Sequence, residues 1–121
     1  MKKNLFASIF VMMVYATNLL ANEVNIFSAR HYDSDVQLYE KFTNKTGINV
    51  NVISGKSGAL EKRIIEEGAD SSADLYITAD AGRCGAMDAK GHLQGGLTSA
   101  AIKAAVPKSF RTSKWVGIAK R

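Results

Sequence analysis

VNIFSARHYDSDVQLYEKFTNKTGINVNVIS, residues 24–54, changes periodicity twice, and that change decides the fold. Val24 to Ser28 has strand composition and ends in a polar cluster. Val36, Leu38, Tyr39 and Phe42 then recur at helical spacing. Ser34 stands three residues before Gln37 as in a capping box, with Asp33 as its rival, and Gly47 suits the C-terminal stop. Ile48 to Ile53 is a β-branched, partly alternating strand. The stretch therefore predicts one strand–helix–strand unit.

The same rhythm continues outward. SGKSG at 54–58 is a turn, Leu60, Ile64 and Ile65 give a second helix its apolar face, and Gly68 stops it. ADLYIT, 73–78, reads as a third strand, and residues 79–91 as a weaker helix because Gly82 and Gly85 each cost stability. A helix over Ser99–Val106 stopped by Pro107, and a final strand over Trp115–Ala119, are predicted beyond it. Strand and helix alternate with short connections, which specifies an α/β fold: a parallel sheet flanked by helices. Ligands of such sheets bind at the carboxyl ends of the strands. That edge gathers the loops Ala29–Asp33, Ser54–Gly58 and Ala79–Arg83, and with them Arg30, His31, Tyr32, Lys56, Ser57, Asp80 and Arg83.

Residues 1–21 stand apart. Lys2 and Lys3 precede an apolar run from Leu5 to Leu20, and Ala21 suits the residue before a signal-peptidase cut. The run is short for a span of about 20 apolar residues, and Thr17 and Asn18 interrupt it. A signal peptide over 1–21 and export of residues 22–121 as one small domain are expected, with no stable membrane insertion after cleavage. Cys84, the single cysteine, makes no internal disulfide and reads as a small buried apolar residue.

Charge is divided along the chain. Residues 22–88 carry 11 acids and 7 bases, and residues 89–121 carry 7 bases and no acid. The bases are spaced rather than clustered and accompany no nucleic-acid motif, so a solvated surface is expected rather than a nucleic-acid partner.

Among the edge residues, the Gly-Lys-Ser of the second loop lacks the earlier glycine of a phosphate-binding P-loop, since Val50 stands there. Ser57 reads either as a helix cap or as part of a small-anion site at a helix N-terminus. His31 offers a borderline nitrogen and Tyr32 a hard phenolate oxygen, a pair that suits iron. Forming the phenolate needs a strongly acidic cation or nearby positive charge, which Arg30 and Arg83 can supply. The two arginines can also hold a carbonate-like anion beside the metal. Two ligands do not make a tight site. No activated nucleophile, cysteine set or tasked carboxylate pair argues for catalysis.

In combination, the SARHYD, LY, FT and TGI elements of the first stretch, with ADLYITADAGR downstream, resemble the periplasmic iron-binding proteins of bacterial ferric-iron ABC importers. The resemblance runs from Val24 to about Arg121. It implies the first lobe of a type II periplasmic binding protein, with His31 and Tyr32 as first-lobe ligands to Fe(III). It further implies a synergistic anion such as carbonate, a periplasmic location, a membrane permease as partner, and a monomer. The consecutive tyrosines of the family's second lobe are absent, as no Tyr-Tyr pair occurs in this sequence. Gly58, Ala59, Cys84, Gly85 and the LQGG at 93–96 depart from its usual residues. The resemblance thus implies an amino-terminal portion that binds iron weakly on its own. A small-anion-binding relative and a non-functional fragment are the alternatives.

Overall fold

A computed structural model describes residues 22–97 and 99–118. Three parallel strands, β1 (Glu23–Ser28), β2 (Asn49–Ser54) and β3 (Leu75–Ile77), form a sheet in the order β2-β1-β3. Helix α1 (Asp33–Thr46) connects β1 to β2, and α2 (Ser57–Glu67) with a short 3-10 turn (Gly68–Asp70) connects β2 to β3. Helices α3 (Ala81–Ala89) and α4 (Ala100–Ala105) and a 3-10 turn (Lys108–Phe110) follow. The central strand is thus the first in sequence.

Pairing places Phe27 beside Ile53 and Tyr76 on one side of the sheet, and Ile26 beside Val52 and Leu75 on the other. The first side is covered. Phe27, Leu60, Ile64 and Met87 form its core, and Ile53, Tyr76 and Leu93 pack around them. The second side faces α1, no residue of which is buried, and there Val52 and Leu75 remain 40% and 50% exposed. Ile26 and Ser28, on the central strand, are the residues of that side that are fully enclosed.

Helix ends follow local chemistry, with two corrections. Gly47 ends α1 in the left-handed region at φ 73°, where glycine is unstrained, and its N–H donates to Thr43 O. The cap of α1 is Tyr32, in extended backbone and with no side-chain cap bond. Neither Ser34 nor Asp33 caps, because the helix begins at Asp33, which places Asp33 one position and Ser34 two positions past the cap. Lys56 rather than Ser57 occupies the cap of α2, also without a side-chain bond. Asp80 does cap α3, its Oδ1 accepting from Gly82 N at 2.8 Å.

The final strand predicted over Trp115–Ala119 does not form. Arg111 and Val116 share one isolated antiparallel bridge instead, since Arg111 Nε is held by Val106 O and the chain turns back on itself. Residue 119 lies outside the described residues, as does the signal peptide expected over 1–21. Cys84 is partly buried, and burial raises its thiol pKa, with Asp80 and Glu61 adding to the effect.

Candidate iron-binding edge

Ser28, the last residue of β1, is 1% exposed and shapes the turn that follows. Its Oγ accepts from Arg30 N at 3.1 Å and donates to Arg30 O at 3.0 Å, closing a tight hydroxyl turn. That turn releases the chain from the sheet so that Arg30, His31 and Tyr32 stand at the carboxyl end of the central strand. All three line a groove of about 720 Å³ between α1 and β2, with Tyr39, Val52 and Ser54 among its other walls. His31 and Tyr32 are exposed there. Of the three loops predicted at this edge, the first lines this groove.

Arg30 is held from two sides. Its Nη2 donates to Asp35 Oδ1 at 3.2 Å, with both side chains 16% exposed. Its guanidinium carbon lies 5.0 Å from the centroid of the Tyr32 ring, a cation–π approach. Arg30 Nε and Asp35 Oδ2 are buried with no hydrogen-bond partner among the described residues. Tyr39 borders this pair. Burial raises its phenol above the ordinary value and the Asp35 carboxylate raises it further, while a hydrogen bond with Ser28 and the Arg30 charge oppose the shift. Tyr39 is thus suited to remain neutral beside the groove.

Ser57 and Arg83 do not join the groove. They belong to a second cluster at the ends of β2 and β3. Glu61 accepts from Arg83 Nη1 through both carboxylate oxygens, at 3.0 and 3.1 Å, and from Tyr76 Oη at 2.7 Å. Ser57 Oγ and Thr78 Oγ1 lie 3.4 Å apart. The Glu61 hydrogen bond, and then its charge, raise the pKa of Arg83 above its ordinary value. Tyr76 is raised chiefly by burial, with the Glu61 hydrogen bond acting in the same direction. The predicted loop cluster therefore divides into a groove holding Arg30, His31 and Tyr32, and a network tying α2 to β3 and α3.

Two residues with decisive contacts were missed from the sequence. Asp35 stands outside the edge residues gathered from the sequence, though its distance of five positions from Arg30 was a usable signal. Glu61 gave none, because 22 residues separate it from Arg83. Among the described residues, no group of three or more His, Cys, Asp and Glu side chains is placed to hold a metal ion. His31 and Tyr32 are donors with room before them rather than a finished cage.

The sequence profile of bacterial extracellular solute-binding proteins matches residues 36–116. The chain belongs to this family. It is a family of solute-binding transport proteins and not of enzymes, and the helix-flanked parallel sheet is the first lobe of its type II periplasmic binding fold.

Relatives of this solute-binding protein are named for iron. Iron uptake protein A1 of Synechocystis is 42% identical over 101 residues, which cover 82% of this chain and 28% of the relative. A Trichodesmium protein (IdiA, FutA), solved in complex with iron and citrate, superposes with a TM-score of 0.74 at 42% identity, over 78% of this chain and 30% of that one. The ferric-binding protein of Campylobacter jejuni superposes at 0.70 with 37% identity, over 75% and 28%. The chain thus spans just under a third of the length of the relatives it matches. No helix among the described residues is long and apolar enough to cross a membrane.

Proposed function

We propose that this solute-binding protein captures ferric iron outside the cytoplasm for delivery to an ABC permease in the inner membrane. The observation that carries the reading is the joint placement of Arg30, His31 and Tyr32 in one open groove at the carboxyl end of the central strand. Three relatives whose names or titles refer to iron share this part of the chain. His31 and Tyr32 are the ligands from this lobe, and further donors come from outside the described residues. Residues 1–21 act as the export signal and residues 22–121 as part of the binding domain.

The chemistry follows from charge. A phenol ionises near pH 10 when unperturbed, and Fe(III) displaces its proton well below that value. The Arg30 guanidinium over the ring opposes build-up of net negative charge neither by ligation nor by proton transfer, but by compensating the phenolate through space. Its buried Nε is a donor for an oxyanion, carbonate or citrate, completing the iron's coordination. Arg83 and Ser57 stand in the separate cluster at the ends of β2 and β3, where Glu61 already pairs Arg83, so the charge-tuning role falls to Arg30.

A second reading takes the same Arg30 donor as the recognition element for a small anion without metal. Isothermal titration separates the two. Heat on adding ferric citrate but not citrate alone supports iron capture. Equal heat from both, unchanged in Tyr32→Phe, supports the anion reading.

A further inference from the structure

The carboxyl-terminal part of the chain sets positive charge around exposed apolar side chains. Over residues 89–118 the charged residues are Lys90, Lys103, Lys108, Arg111 and Lys114, with no acid among them. Lys114 is taken up by Asp88, whose Oδ1 accepts from its Nζ at 2.7 Å. No ion pair engages the other four among the described residues. Arg111 donates Nε to Val106 O, a neutral acceptor that leaves its charge uncompensated.

Backbone bonds fold this segment back on itself. Gly117 N donates to Phe110 O at 2.8 Å, and Leu97 N donates to Ser113 O at 2.9 Å. Leu97, Phe110 and Ile118 thereby belong to one folded-back unit, and all three stay exposed, Phe110 at 48% and Ile118 at 62%. Lys108 and Arg111 flank Phe110, and Lys103 stands on α4, whose cap residue Val106 is tied to Arg111. Cations without internal counter-charge around exposed apolar side chains fit an occupant that is anionic and apolar at once.

Other anions match only half of this surface. A discrete small anion needs donors converging on one point, whereas Lys103 and Lys108 are exposed and spaced along the chain. A nucleic acid takes up the charge but gives Leu97 and Ile118 nothing apolar to meet. The interface of an anionic bilayer supplies both parts, since mobile headgroups adapt to spaced cations and the acyl boundary accepts apolar side chains.

We infer that this carboxyl-terminal face lies on bilayers containing anionic phospholipid, with Phe110 and Ile118 at the acyl boundary and Lys103, Lys108 and Arg111 on the phosphates. The contact is peripheral and needs no spanning helix. It goes beyond the solvated surface expected from the spacing of the bases, and it stands independently of iron capture.

The test is co-sedimentation of the full chain with vesicles of phosphatidylcholine alone and of phosphatidylcholine mixed with phosphatidylglycerol, over a lipid concentration series. Binding is expected on the mixed vesicles, falling steeply between about 0.1 and 0.5 M salt. Each base at an anionic surface is worth about fivefold in partitioning, so Lys103→Gln with Lys108→Gln should weaken binding about twentyfold. Both positions are exposed, so circular dichroism of this variant should match the parent. The same loss of net charge made on α1, Lys41→Gln with Lys45→Gln, should cost much less, because screening confines the attraction to charges near the surface. Phe110→Ser should weaken binding while leaving its salt dependence in place. Equal binding to both vesicle types, as an apolar anchor in residues 1–21 gives, would overturn the inference. So would equal losses from the two lysine pairs, which make net charge alone responsible. Binding indifferent to Phe110→Ser and fully displaced by soluble polyglutamate would assign the face to an acidic protein instead.

Discussion

The guanidinium of Arg30 lies over the ring of Tyr32, 5.0 Å from its centroid, and is held there by the Asp35 carboxylate. A cation is thereby fixed beside the candidate phenolate before any metal arrives. The arrangement originates in the backbone, since the Ser28 hydroxyl turn sets where Arg30 leaves the strand.

Removing one partner of this pair leaves the other largely buried. With both side chains 16% exposed, Asp35→Asn or Arg30→Ala should each lower unfolding stability by about 2 kcal/mol. The double variant should cost less than the sum of the two, since the second change removes the orphan left by the first. Urea denaturation of the three variants measures this, and strict additivity would mean that the pair is not coupled.

The covered side of the sheet should carry most of the stability. Phe27 is fully buried, and Phe27→Ala should cost about 3–5 kcal/mol. Val52, on the open side and 40% exposed, should tolerate alanine at under about 1 kcal/mol. Thermal unfolding of both variants separates the two sides. Equal losses would contradict a one-sided core.

Tyr76 makes stability sensitive to alkali. Its folded pKa is raised above the unfolded value of 10.0 by burial first and by Glu61 second. A raised folded pKa means that the contribution is complete below pH 10.0 and is lost as pH rises through the higher folded value. Tyr76→Phe should therefore flatten the decline above that pH. It should also lower neutral stability by about 1 kcal/mol through loss of the 2.7 Å bond to Glu61. An unchanged alkaline limb would place the proton elsewhere.

The legible part of this molecule was its order. Apolar periodicity gave three strands and the helices between them, and topology alone directed attention to Arg30, His31 and Tyr32. The unread part was pairing across space. Arg83 and Ser57 share the predicted edge yet face Glu61 and Thr78, because α2 brings Glu61 over β3 and no local pattern reports that approach. Helix caps failed for a different reason: Ser34 and Ser57 have the right chemistry, but each sits inside its helix by one or two positions, a shift that propensity does not resolve. The stretch around Trp115 has strand composition without a neighbouring strand to pair with, and composition alone does not make a sheet.

Iron capture through Tyr32 is the central claim, and a visible absorption titration with ferric citrate tests it most directly. The account predicts a tyrosinate-to-iron charge-transfer band that is lost in Tyr32→Phe and retained in Tyr39→Phe and Tyr76→Phe. A band that survives Tyr32→Phe would contradict it.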